Sequence, residues 1–239
     1  MNEGSRGELL GGLAKSIQSA TITHPLRVAV DGPPAVGKTT LADELAVVLR
    51  AQGREVIRAS IEGFLRPRAQ RYRRGEYSPE GCYLDSFDYD ALHRVLLDPL
   101  DPAGDRRFQP AVYNKGTDTA LSQPFTTAHA DAVLLFDGVF LLRPELINQW
   151  DLRIFVSAAF EETLNRARSR DQALYGGIPE VERRWRNGYI PSHGSTSTRS
   201  ARPITPTSSC TTTSSRSQLG KSDHADSSAH NCIDPRSEG

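Results

Sequence analysis

The chain of 239 residues is long enough for one α/β domain with a sizeable core. Its 29 basic and 29 acidic residues balance, so the whole protein has no net attraction for a polyanion, and no nucleic-acid partner is expected. Three cysteines (Cys82, Cys210 and Cys232) are too few for a disulfide framework, have no metal-like spacing, and fit a reducing compartment. No apolar run approaches ~18 residues and no signal-peptide core is seen, so a soluble cytoplasmic protein without membrane contact is expected.

Residues 1–25 read as an N-terminal helix and linker. Within 8–20, Leu9, Leu10, Leu13 and Ile17 fall on one helical face. A buried strand follows, with Val28, Ala29 and Val30 forming a β-branched, apolar run. The next residues are Gly32, Pro33, Pro34, Ala35, Val36, Gly37, Lys38, Thr39 and Thr40. They fit G-x-x-x-x-G-K-[ST] at every position, and Leu41, Leu45, Val48 and Leu49 continue at helical spacing. Strand before and helix after is the context in which this pattern binds phosphate. Glycines at 32 and 37 let successive N–H groups converge on an anion, and the helix adds the positive end of its dipole. Lys38 would reach the β- and γ-phosphates, and the Thr39 hydroxyl would face Mg²⁺. The expected ligand is Mg²⁺-bound ATP.

A second strand is predicted over 54–59 (REVIRA). Glu62 lies just past its carboxyl end, where open α/β sheets hold ligands, and would face the γ-phosphate. A loop rich in arginine follows (Arg66, Arg68, Arg71, Arg73 and Arg74, with Tyr72 and Tyr77). It suits a cover or a small-ligand site better than a nucleic-acid patch. Residues 85–97 predict a helix capped by Ser86 or Asp88. Residues 107–113 predict one strand of a small antiparallel excursion, turning at Asn114-Lys115-Gly116.

The apolar run 132–136 ends in Asp137. An acid at the carboxyl end of a buried parallel strand is where phosphotransfer folds put a second magnesium-side carboxylate. A further strand is expected over 152–157 and an arginine-dense helix over 160–175. Arg166 and Arg170 lie one turn apart there, as a lid over transferring phosphate requires. The pattern predicts a P-loop α/β fold, a three-layer α/β/α sandwich with a mostly parallel sheet, over residues 26–191.

Several segments together resemble the uridine kinase family of P-loop phosphotransferases, in its bacterial uridine-kinase-like branch. They are DGPPAVGKTTLADELA, SIEGFLRPRAQRYRRGEYSPEG, YLDSFDYDAL, VLLFDGVFLLRPEL, and NRARSRD leading into YIP. The resemblance implies ATP-dependent phosphorylation of the 5′-hydroxyl of a pyrimidine nucleoside. It implies that Glu62, where the family has aspartate, is general base and magnesium-side group. By the same resemblance Phe64 and Tyr113 line the acceptor pocket, Asp137 stands beside the metal, and Arg166 and Arg170 are lid arginines. The segment PAVYNKGTD supplies Tyr113 and Asn114 but not the histidine and arginine of the family pattern. A kinase of another small hydroxylated metabolite and a nucleotide-binding protein without turnover therefore stay open. A homo-oligomer also stays open.

Composition changes sharply after Pro191. Residues 192–239 contain no Val, Phe, Tyr, Trp or Met, and about two in five are serine or threonine, the pattern of a disordered tail. The genetic code offers a sharper reading. Shifted by one base, serine codons become Leu, Val, Ile or Phe, and threonine codons become Asp, Asn, His or Tyr. Under that shift Thr207–Cys210 becomes Asp-Val-Val-Val, a final apolar strand. A frame slip near Pro191 would remove that strand and leave the sheet with an unpaired edge.

Overall fold

The computed structural model describes residues 3–192 and 209–211. Helix α1 (Glu3–Ser19) leads into strand β1 (Leu26–Asp31), and helix α2 (Lys38–Ala51) precedes strand β2 (Val56–Ser60). A 3₁₀ turn (Ile61–Phe64) and three short helices follow: α3 (Arg68–Arg71), α4 (Pro79–Leu84) and α5 (Tyr89–Leu92). Two-residue strands come next: β3 (Arg107–Phe108), β4 (Tyr113–Asn114), β5 (Thr119–Ala120) and β6 (Thr126–Thr127). Strands β7 (Val133–Gly138) and β8 (Leu152–Ser157), helices α6 (Phe160–Tyr175) and α7 (Ile178–Arg184), and strand β9 (Ser209–Thr211) complete the order.

The five long-range strands form one parallel sheet in the order β2-β7-β1-β8-β9. Strands β1 and β7 are buried at every residue, as a sheet covered on both faces demands. Alternation along β7 divides the core. Val133 and Leu135 meet Ile17, Leu41, Leu45 and Leu49 of α1 and α2. Leu134 and Phe136 meet Phe64, Leu92, Leu96 and Trp150 on the opposite face. Helices therefore cover both faces of a parallel sheet, as expected, and the loops at the strand carboxyl ends gather on one side.

Several expectations need correction. The segment 107–113 is not one strand: Arg107–Phe108 pairs with Thr126–Thr127, while Tyr113–Asn114 pairs with Thr119–Ala120. The helix expected over 85–97 begins at Tyr89, because the Asp88 carboxylate accepts from the Ala91 N–H at 3.0 Å. It widens at His93–Leu97 into a π-helical turn. The outer edge of β8, expected to be open, is paired: Phe155, Val156 and Ser157 align with Ser209, Cys210 and Thr211. That partner overlaps the segment that becomes a strand under the shifted frame. The expectations for 193–208 and 212–239 fall outside the described residues.

Candidate functional site

The loop after β1 is held from inside. Burial raises the Asp31 carboxyl above the usual carboxylate range, and both of its oxygens are used. One accepts from the Gly32 N–H at 2.7 Å and the other from the Leu142 N–H at 3.0 Å, which ties the loop to the segment after β7. Gly32 has φ +149, and a Cβ there would stand 2.1 Å from the Val156 carbonyl oxygen of β8, so only glycine fits. Gly37 caps α2 with φ +98, and Ala35 between them also has positive φ, +56. The loop thus coils tightly into the N-terminus of α2.

Lys38 is folded into this coil. Its Nζ donates to the carbonyls of Gly32 and Pro33, each at 2.8 Å, and the residue is 8% exposed. Burial lowers its pKa to about 8, against the opposing pull of Asp31, Asp137 and Glu62. Beside it the Thr39 hydroxyl donates to Asp137 Oδ2 at 2.7 Å. Asp137, at the end of β7, is 3% exposed, and its Oδ1 accepts from Arg58 Nη2 at 2.9 Å. No group of three or more His, Cys, Asp or Glu side chains among the described residues could cage a metal alone. A Thr39 hydroxyl next to one carboxylate is nevertheless the oxygen donor set that Mg²⁺ takes when phosphates complete its shell.

A cleft of about 1100 Å³ opens above these groups. Pro34 to Thr40 form its floor, while Gly32 and Pro33 stand behind it and hold Lys38. Glu62, Asp137, Arg166 and Arg170 all line it, so the structure brings the expected charged residues together. Glu62 comes from the 3₁₀ turn after β2, where the Ser60 hydroxyl accepts from its N–H at 3.4 Å. Both of its carboxylate oxygens lie 3.1 Å from Lys115 Nζ, in the turn between β4 and β5. Arg166 donates to the Val36 carbonyl at 3.2 Å, which anchors α6 to the loop, while Arg170 pairs with Asp171 at 2.6 Å.

The residues expected on the acceptor side are placed differently. Phe64 is fully buried, 6.1 Å from Phe136 between ring centroids, and packs in the core rather than along the cleft. Tyr113 is 5% exposed, and its hydroxyl donates to Asp118. Four of the five arginines of the 66–74 loop are also committed internally. Arg66 donates to Phe87 O and Arg71 to Arg66 O, while Arg73 and Arg74 share Asp85. Tyr77 donates to Glu180 at 2.8 Å and Arg184 pairs with Glu76, which fastens this loop to α7 across the cleft. Sequence reasoning missed Asp31, Arg58 and Lys115 as members of the site. Asp31 directly precedes the glycine pattern, but nothing in local periodicity marked the other two.

No family model matches the chain, and no curated protein matches it in sequence. Solved structures do. A structure described as a possible uridine kinase from Bacillus stearothermophilus aligns with a TM-score of 0.63 at 22% identity, covering 82% of this chain and 92% of that one. A candidate fructose transport system kinase from Silicibacter aligns with a TM-score of 0.66 at 20% identity, covering 79% and 94%. A D-glycerate 3-kinase from Cryptococcus neoformans aligns with a TM-score of 0.53 at 18% identity, covering 80% and 86%. The chain has the P-loop kinase fold that these proteins share.

Proposed function

We propose that this chain transfers the γ-phosphoryl group of ATP to a hydroxyl of a small molecule, with the 5′-hydroxyl of uridine or cytidine as the acceptor. One observation carries the reading: Lys38, Thr39, Asp137, Glu62, Arg166 and Arg170 share a single cleft at the carboxyl ends of β1, β2 and β7. The nucleoside comes from the sequence resemblance. The kinase fold supports phosphoryl transfer without choosing the acceptor.

In this scheme the amides of Pro34 to Thr39 and the α2 dipole hold the triphosphate. Lys38 leaves the carbonyls of Gly32 and Pro33 to meet the β- and γ-phosphates. Thr39 and Asp137 are the groups that would hold Mg²⁺, whose positive charge would offset that of the triphosphate. Glu62 takes the acceptor's hydroxyl proton while that oxygen bonds to the γ-phosphorus and the bond to the bridging oxygen breaks, releasing ADP. Arg166 and Arg170 offset charge on the transferring group from the lid side. For Glu62 to act, Lys115 must yield its hold. That ion pair is half-exposed, so opening it costs about 1 kcal/mol or less.

The test is ATP consumption by the purified chain with uridine, cytidine, pantothenate, a sugar and a sugar phosphate. Uridine or cytidine monophosphate as the main product is expected. Turnover only with one of the others would replace the acceptor, and ATP binding without any product would leave a non-catalytic nucleotide-binding protein. A second acceptor class is favoured by one observation: Phe64 and Tyr113, the residues expected to hold a nucleoside, are engaged in the core and with Asp118.

A further inference from the structure

Arg58 is the central residue of β2, where Val56, Ile57 and Ala59 are buried in the core, and it carries a guanidinium that is only 18% exposed. All three of its nitrogens donate, through four of the five N–H groups. Nη1 donates to the carbonyls of Ala59 at 3.1 Å and Leu135 at 2.7 Å, which fixes the fork in the groove between β2 and β7. Nε donates to Asp43 of α2 at 2.9 Å. The remaining arm, Nη2, reaches Asp137 Oδ1 at 2.9 Å. The parallel register makes this reach possible. Arg58 aligns with Leu135, so a long side chain leaning along the strand arrives at the carboxylate two residues further on.

Asp137 is therefore held on both sides. One oxygen is fixed by Arg58 and the other by the Thr39 hydroxyl, inside a site where the aspartate is almost without solvent. A buried carboxylate with one arm released would lose both its orientation and the charge that balances it. We propose that Arg58 is a positioning residue: it holds the Asp137 carboxylate facing Thr39 and thereby sets how much Mg²⁺ the triphosphate site needs. This rests on the reading of residues 32–40 as the site for ATP. Partners of this kind, one step behind the metal-side groups, alter metal affinity by about 10- to 100-fold when removed. Lysine in place of Arg58 keeps the charge but not the fork, so it can serve either Asp137 or the two carbonyls but not all three.

The experiment measures the rise in melting temperature of the full chain with ATP as Mg²⁺ is titrated, alongside ATP with EDTA. Wild type, Arg58→Met, Arg58→Lys and Asp43→Asn are compared, and KM for ATP and kcat are read where turnover is found. Arg58→Met is expected to raise the half-saturating Mg²⁺ about 10- to 100-fold. Its response to ATP in EDTA should stay that of wild type. Arg58→Lys should lie between the two, and Asp43→Asn, which removes only an exposed partner, should match wild type. Unchanged Mg²⁺ half-saturation in a folded Arg58→Met would overturn the proposal, as would equal losses with and without metal. If Arg58→Met does not fold, wild-type Mg²⁺ behaviour in Arg58→Lys overturns it. A wild-type chain that never responds to ATP overturns the nucleotide reading instead, so the two failures are separable.

Discussion

The two ends of the cleft are built on opposite principles. At the phosphate end Asp31, Lys38 and Asp137 are 5%, 8% and 3% exposed, and each has named partners within hydrogen-bond distance. At the end proposed for the acceptor the side chains of Glu62 and Lys115 are 60% and 46% exposed and hold mainly each other. Charge that is buried must be partnered, and partnering fixes its position before any ligand arrives. Charge that stays wet can exchange partners for about 1 kcal/mol or less. Under the proposed function, the contrast is that of a preorganised donor site facing an adaptable acceptor site.

The sharpest way to break this comparison is at the acceptor end. Glu62→Gln should lower kcat by about 10²- to 10⁴-fold, the usual contribution of a general base, with ATP affinity unchanged. A parallel loss of ATP affinity would show the two ends to be one unit. At the donor end, Lys38→Ala should lower kcat/KM by about 10²- to 10³-fold without lowering Tm, because it removes a charge the fold buries reluctantly. The same lysine predicts a pH effect. Its pKa in the free protein is lowered to about 8 by burial, and bound phosphate favours the charged form. Binding above that pH must therefore take up a proton, so ATP affinity should be flat below about 8 and fall by up to about tenfold per pH unit above it. Calorimetric Kd values that do not change between pH 8 and 10 would contradict this.

The edge of the donor half offers a third test. Strand β9 pairs with β8 opposite the side where the Val156 carbonyl abuts Gly32. If the frame slips near Pro191, restoring it gives this edge strand the β-branched sequence Asp-Val-Val-Val, which should stabilise by about 1 kcal/mol and raise Tm by a few degrees. Equal Tm values, or a gene with one intact frame, would remove that reading. The smallest expected effect belongs to Lys115→Met. Opening an exposed pair should change kcat by less than about fivefold. A much larger change would move Lys115 from a movable counter-ion to a substrate contact.

How far the sequence could be read follows from the range of the interactions involved. The expected bounds of β8 and α6, 152–157 and 160–175, are the observed ones, because an apolar strand run and the helix that follows it are local signals. The phosphate loop was equally legible, its glycines and lysine lying within six residues of one another. Lys115 reaches Glu62 across 53 positions and Arg58 reaches Asp137 across 79, and no window of sequence contains both members of either pair. Phe64 shows the opposite failure. The family resemblance set it along the acceptor pocket, but the 3₁₀ turn points its ring at Phe136 and into the core. The positive φ of Ala35 had no signal either, since alanine does not announce a left-handed turn.

The central claim is that residues 32–40 grip a magnesium-bound triphosphate, and calorimetric titration of ATP into the full chain tests it most directly. Binding in Mg²⁺ that weakens when EDTA removes the metal is the predicted result. The absence of binding heat in both conditions, with the chain folded, would contradict it.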